Sequence, residues 1–205
     1  MIVVGLAGHL PSRPGQELID QAVSRQGLVM VNHPEWRGGI YDIRELDRLV
    51  GYQFMEMCNG GESHERPWDY VLSKGHKYVW GVASDDFHGG PGDEVARCFI
   101  VVNAPELTAQ AILGNLKAGN FYSSEGPKLD MSLTGDSLVV KSDQESTVTF
   151  RGRYGIPYLK SVITPGQMDW ASYRFQGDEG YVRVEVERHS DRKHAWSQPV
   201  FVEMK

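Results

Sequence analysis

The sequence predicts an α/β fold followed by a small antiparallel β domain. Over about the first 120 residues, short apolar runs alternate with amphipathic segments, which is typical of βα units around a largely parallel sheet. After Gly126-Pro127 the apolar residues alternate with period two, and turn signals separate the runs. Because 205 residues suffice for one domain or two small ones, we place a first domain at residues 1–126 and a second at 127–205.

The apolar spacing predicts the elements of the first domain in order. Strands are expected at Ile2–Leu6, Leu28–Val31, Phe54–Met57, Tyr78–Ala83 and Cys98–Val102. Helices are expected at Glu17–Arg25, at Asp42–Val50, from Pro67 to Ser73, and at Thr108–Ala118 with Thr108 as its N-cap. In the second domain, strands are expected at Leu129–Leu133, Leu138–Lys141, Thr147–Phe150, Tyr158–Ile163 and Tyr181–Val186.

Composition and charge narrow the class of partners. The chain is 40% hydrophobic and 23% charged, as expected of a globular protein, and its net charge is −6. This acidic balance opposes a nucleic-acid or anionic-membrane surface as the main partner. The N-terminus lacks the basic region of a signal peptide and an apolar run long enough to span a membrane, so we expect a cytoplasmic location. Cys58 and Cys98 lie in separate apolar runs and are interpreted as two buried thiols, not as a disulfide framework or a zinc knuckle.

Polar side chains follow three successive predicted strands. His33 follows the strand Leu28–Val31, Asn59 follows the next strand, and Asp86 and His88 follow the third. Functional residues of parallel α/β sheets collect at such carboxyl ends, and imidazole combined with carboxylate suits zinc, manganese or iron. A lone histidine more often packs or caps, and Asp-x-His can simply cap a turn. Their placement on successive strand ends nevertheless favours a metal site.

Taken together, His33-Pro34, Asn59-Gly60 and Asp86-Phe87-His88 resemble the PHP family, named for polymerase and histidinol phosphatase. The segment Val101–Pro127 resembles the part that closes the barrel in stand-alone phosphoesterases of that family. His194–Val202 is similar to the last strand of a small β domain that some members carry. The resemblance implies about the last four βα units of a distorted (β/α) barrel, followed by that β domain.

The same resemblance implies a metal-dependent phosphoesterase in which metal-activated water hydrolyses a small phosphorylated substrate. It makes His33, Asp86 and His88 ligands of a divalent zinc, manganese or iron ion, with Asp86 and His88 also in the catalytic role. Arg37 is a candidate counter-charge for the substrate phosphate.

The early motifs of the family are absent from the chain: there is no His-x-His strand, nor the Asp, His and Glu that follow it. We therefore expect an incomplete metal site in this chain alone. The resemblance then describes a truncated barrel, a barrel whose open edge a partner chain or a second copy covers, or a remodelled unit.

A non-enzymatic alternative remains open at this point. A degenerate barrel could carry a β domain that binds a carbohydrate or a protein through its aromatic residues, although aromatic residues in strands more often belong to the core. The aromatic residues concerned are Tyr154, Tyr158, Trp170, Tyr173 and Trp196.

Overall fold

The computed structural model describes residues 1–6, 10, 15–35, 42–76, 78–91 and 94–202. Strands account for 38% of the described residues and helices for 19%. Most of the sheet is antiparallel, and the helices are few.

The elements follow the chain in this order. The strands are β1 (Ile2–Val4), β2 (Leu28–Val31), β3 (Phe54–Asn59), β4 (Glu62–Ser63), β5 (Trp80–Ser84), β6 (Phe99–Val102), β7 (Phe121–Ser124), β8 (Asp130–Thr134), β9 (Ser137–Lys141), β10 (Ser146–Arg151), β11 (Pro157–Ile163), β12 (Trp170–Arg174), β13 (Tyr181–Arg188), β14 (His194–Trp196) and β15 (Val200–Phe201). The α-helices are α1 (Gly15–Ser24), α2 (Ile43–Leu46), α3 (Glu65–Ser73) and α4 (Ala109–Ala118), and a short 3-10 helix spans Arg153–Gly155.

The first sheet has a parallel centre. Strands β2 and β5 both pair in parallel with β3, whereas β1 pairs antiparallel with β2 and β4 antiparallel with β3. All four residues of β2 are buried, because both faces of the sheet are covered. Val29 and Val31 pack in the cluster that contains α1 and α3, while Leu28 and Met30 pack on the opposite face with Leu116 of α4.

The second and third sheets form a sandwich. The second sheet has seven antiparallel strands in the order β11-β10-β13-β14-β7-β6, with β15 also on β13, and the third has the order β12-β9-β8. Their facing side chains form one buried cluster that includes Leu138, Val148, Phe150 and Val184. Alternate residues of these strands therefore fill a core between two sheets.

The predicted (β/α) barrel is wrong. Strand β6 does not continue the parallel sheet beside β5; it pairs antiparallel with β7 and joins the second sheet. Within the described residues β5 pairs with no strand besides β3, and side chains bond its outer backbone instead. The Ser123 hydroxyl donates to the Gly81 carbonyl, the amide oxygen of Gln198 accepts from the Gly81 N–H, and its amide nitrogen donates to the Gly81 carbonyl. A sheet finished in this way has no open strand edge at β5 from which to continue into a barrel.

Most individual elements agree with the sequence prediction, including β2 at Leu28–Val31 and the N-cap role of Thr108, whose hydroxyl accepts from the Ala111 N–H. Helix α2 is shorter than predicted and ends at Leu46. The division of the chain at residue 126 stays a prediction, although β6 and β7 share a sheet with β13 and β14. None of the described helices is long and apolar enough to cross a membrane.

A buried ion pair joins the first and second sheets. The guanidinium of Arg183, in β13, is 1% exposed and contacts two carboxylates of α3, Glu65 at 2.5 Å and Asp69 at 2.6 Å. The Tyr181 hydroxyl donates to Asp69 at 2.9 Å, and the guanidinium lies 5.1 Å from the ring centroid of Trp68. Burial alone would lower the pKa of Arg183, but the two carboxylates more than offset it and raise the pKa. The guanidinium therefore stays charged inside the protein.

Replacing Arg183 by Met should destabilise the fold by about 3–5 kcal/mol, because two carboxylates are left in the interior without their counter-charge. The free energy of unfolding in urea measures this loss. The matched control is Arg174→Met, which breaks the exposed pair between Arg174 and Asp136 and should change stability little. Equal losses in the two variants would contradict the role given to the buried cluster.

Candidate functional site

The carboxyl ends of the parallel strands β2, β3 and β5 meet around the buried carboxylate of Glu56. This side chain is 1% exposed and accepts from the backbone N–H of His33 at 2.5 Å, from the Asn59 amide at 3.2 Å and from the Ser84 hydroxyl. Each donor comes from the end of a different strand, or from directly after it. Glu56 thus fixes the three strand ends relative to one another, and its oxygens are engaged as hydrogen-bond acceptors.

Asp86 and His88 lie together on the surface after β5. The Nε2 atom of His88 is 3.2 Å from Oδ1 of Asp86, and the two side chains are 79% and 42% exposed respectively. Asp86 has φ of 52° and His33 has φ of 29°, a left-handed region that residues other than glycine rarely adopt. Such conformations are concentrated at ligand and active sites, which is compatible with the predicted roles.

The sequence-predicted ligands do not converge in the way that the cysteines do. Among the described residues, the group of three His, Cys, Asp or Glu side chains with ligand atoms within 4.8 Å of one another consists of Cys58, Cys98 and Glu125. His33, Asp86 and His88 stay predicted ligands, and Asp86 and His88 predicted catalytic groups. Arg37, the predicted phosphate contact, lies outside the described residues.

We refer to Cys58, Cys98 and Glu125 as the dithiol-carboxylate centre. Cys58 lies near the end of β3, Cys98 immediately before β6, and Glu125 directly after β7. The two Sγ atoms are 2.8 Å apart and both side chains are buried. The centre therefore gathers one residue from the first sheet and two that flank strands of the second.

Hydrogen bonds with backbone N–H groups hold Cys98 and Glu125 in place. The Gly61 N–H donates to Sγ of Cys98 at 3.1 Å, and the Asp85 carboxylate accepts from the Cys98 N–H at 2.7 Å. One oxygen of Glu125 accepts from the His194 N–H at 2.9 Å. Gly61 has φ of 94°, so glycine is required at the turn that aims this N–H at the sulfur.

The two thiols have opposite acidities. A hydrogen bond from Cys58 lowers the pKa of Cys98, and the Gly61 N–H acts in the same direction. The same thiol–thiol hydrogen bond, together with burial, raises the pKa of Cys58. Of the two, Cys98 is accordingly the sulfur that becomes a thiolate first.

His194, whose N–H donates to Glu125, belongs to a second group of charged residues from β10, β13 and β14. The Glu185 carboxylate contacts Arg151 at 2.5 Å and Nδ1 of His194 at 3.0 Å, and the His194 ring stacks on Trp196. Burial alone would raise the pKa of Glu185, but His194 and Arg151 lower it to about 2. The hydrogen bond with Glu185 in turn raises the pKa of His194. These contacts fix the strand from which the His194 N–H reaches Glu125.

An apolar surface occupies one edge of the sandwich, and we call it the β11 surface. Of the sixteen exposed large hydrophobic residues in the described part of the chain, seven fall between residues 154 and 170: Tyr154, Ile156, Tyr158, Leu159, Val162, Met168 and Trp170. Of the aromatic residues singled out in the sequence, Tyr154, Tyr158 and Trp170 belong to this surface, whereas Trp196 is buried and Tyr173 stacks between Phe150 and Tyr158. Three of the five are therefore available to a ligand.

No protein-family model and no curated protein matches this chain. Among solved structures, it is similar to a DUF3244 family protein with an immunoglobulin-like β-sandwich fold from Bacteroides vulgatus. The identity is 13%, the match covers 38% of this chain and 85% of that one, and the TM-score is 0.32. At this TM-score the likeness carries no argument about function.

The resemblance to the PHP family is therefore wrong, and with it the expected phosphoesterase activity. The protein is mostly antiparallel sheet and not a TIM-like barrel, and no family model matches the chain. The short motifs that suggested the family mark the ends of three parallel strands, an arrangement that many α/β sheets share.

Sequence reasoning missed the dithiol-carboxylate centre because its members are distant in the chain. The one usable signal was that Cys58 ends a strand and Cys98 precedes one. Strand pairing decides whether two such ends meet, and apolar periodicity does not reveal it.

Replacing Glu185 by Gln is expected to remove stability that the protein has above pH 4.5 and loses as the pH falls toward 2. The folded-state pKa of Glu185 is about 2 and its ordinary value is 4.5, a difference that corresponds to about 3 kcal/mol at neutral pH. Urea unfolding at stepped pH should show the two proteins converging at the acid end. Glu145→Gln changes an exposed carboxylate paired with His189, and its pH curve should run parallel to that of the unchanged protein. A pH-independent offset for Glu185→Gln would assign the loss to packing.

Proposed function

We infer that this chain is a protein-binding module that recognises an extended segment of a partner along β11. One observation carries the inference: β11 is the last strand of the second sheet, and within the described residues no strand pairs with its outer edge. An unpaired edge offers a row of backbone donors and acceptors, and recognition by strand addition uses such a row.

The side chains of β11 supply the specificity that an edge alone lacks. Leu159 and Val162 are exposed, and Tyr158 lies beside them. Just past the far end of the strand, a bridge pairs Thr164 with the exposed Met168. A partner strand would therefore meet apolar side chains on both faces of the edge, which lets its alternate residues contribute.

Two residues restrict what pairs with this edge. Pro157 begins β11 beside a β-bulge, and Lys160 lies exposed in the middle of the strand. Proline, bulges and lysine are devices by which natural edges avoid indiscriminate pairing. We therefore expect a partner segment with an acidic residue opposite Lys160 and apolar residues flanking it.

A protein segment fits this surface better than a carbohydrate. Sugar platforms need exposed aromatic faces, but the Tyr158 ring stacks on Tyr173 and the Tyr154 ring contacts Tyr70 of α3. Tyr154 is also held by its N–H, which donates to the Ser73 hydroxyl at 2.7 Å. Two of the three exposed aromatic side chains, Tyr154 and Tyr158, thus support the edge, and the remaining ring, that of Trp170, is a small platform for a sugar.

Selection of random linear peptides displayed on phage tests the proposal. Peptides that bind the unchanged protein should contain an acidic residue flanked by apolar ones, and Val162→Lys should weaken them at least about tenfold. Lys160→Glu should select peptides with Lys or Arg in place of the acid. The control is Leu133→Lys, at an exposed apolar strand position of similar accessibility on β8, and it should leave the affinity unchanged.

Peptides that bind Val162→Lys as well as the unchanged protein would place the binding surface elsewhere. Selection that enriches no peptide, together with binding on a glycan array that Trp170→Ala abolishes, would replace the protein partner by a carbohydrate.

A further inference from the structure

The dithiol-carboxylate centre places three groups that can each carry negative charge in one small volume. Cys58 and Cys98 are buried, and their sulfurs lie with an oxygen of Glu125 within 4.8 Å of one another. Two sulfurs and a carboxylate oxygen gathered in this way are a set of ligand atoms that a divalent cation can bind.

We propose that Cys58, Cys98 and Glu125 bind a divalent zinc ion. Two sulfurs and one carboxylate oxygen are ligand types that zinc takes, and the three ligand atoms lie within 4.8 Å of one another. The sulfurs are 2.8 Å apart and must separate by about 1 Å on binding, because Zn–S bonds of about 2.3 Å at the tetrahedral angle hold two sulfurs about 3.8 Å apart. Three protein ligands leave the fourth position to water, as in zinc sites that exchange ligands.

Hydrogen bonds around the centre match those that orient zinc ligands. The Gly61 N–H donates to Sγ of Cys98, where it stabilises a thiolate. The His194 N–H holds one oxygen of Glu125 at 2.9 Å and so fixes the direction of the other. Supporting contacts of this kind set ligand geometry in metal sites.

A disulfide between Cys58 and Cys98 explains less of the centre. Forming it transfers two electrons and two protons to an oxidant such as glutathione disulfide, and it gives no role to Glu125. A zinc ion uses all three residues.

Cobalt(II) titration of the chelator-treated protein, kept reduced with a phosphine, tests the proposal. We expect thiolate-to-cobalt charge-transfer absorption in the near ultraviolet, tetrahedral bands in the visible, saturation at one equivalent, and displacement by zinc. Cys58→Ser and Cys98→Ser should each abolish the charge-transfer absorption of the missing sulfur. Each should also weaken zinc binding by more than about 10–100-fold, because that is the loss expected when only a supporting contact of a ligand is removed. Glu125→Gln should keep both sulfur bands and bind more weakly.

His189→Ala is the matched control, because it removes a histidine that pairs with Glu145 outside the centre and should leave the spectrum unchanged. Circular dichroism of each variant checks that it folds. A cobalt spectrum without charge-transfer bands, in protein whose two thiols still react with a thiol reagent, would overturn the proposal. So would bands that survive both Cys→Ser substitutions or disappear in His189→Ala.

Discussion

The buried guanidinium of Arg183 is the contact on which the relative placement of the two sheets depends. It lies in the middle of β13, and its carboxylate partners Glu65 and Asp69 lie on α3, which packs against the first sheet. Leaving a guanidinium or two carboxylates unpaired in the interior costs several kcal/mol, so α3 and β13 have little freedom to separate. Close packing adds to the electrostatic restraint. A Cβ on Gly155 would meet the Asp69 carboxylate at 2.4 Å, so the loop after β10 also packs closely around this ion pair.

Helix α3 in turn fixes the position of strand β5. Trp68 packs beneath Arg183, its indole N–H donates to the Val79 carbonyl, and a Cβ on Gly81 would meet its ring at 2.7 Å. The other side of Gly81 is bonded by Gln198, and its neighbour Ala83 donates to Ser123 of β7. Strand β5 is therefore held between a tryptophan and polar side chains of the second sheet. Because β5 pairs with β3, the position of β5 also places the end of β3 beside β6 and β7. The dithiol-carboxylate centre forms where these strands meet.

The sequence was informative wherever the deciding interactions are local. Strand β2, with Val29 and Val31 facing one side and Leu28 and Met30 the other, follows from apolar periodicity. The partner of each strand did not follow, because two antiparallel strands joined by a helix, such as β6 and β7, have the same pattern as a parallel unit. Helix α4 ends at Gly119 in a left-handed conformation, and β7 then runs back along β6. The barrel prediction was wrong because it treated β6 as a further parallel strand. For the same reason the sequence did not predict that Cys58 lies beside Cys98.

The segment after β5 places two adjacent aspartates, Asp85 and Asp86, in different surroundings. The Asp85 carboxylate accepts from the N–H groups of Ala96 and Cys98, so it fixes the chain that delivers the second thiol. Asp86, the next residue, has a left-handed backbone and presents its carboxylate with His88 to solvent. Adjacent aspartates therefore differ in role because the backbone turns between them: the first orders the interior, and the second pairs with His88 at the surface. Sequence proximity to a predicted site is thus a poor guide to which carboxylate supports the thiols.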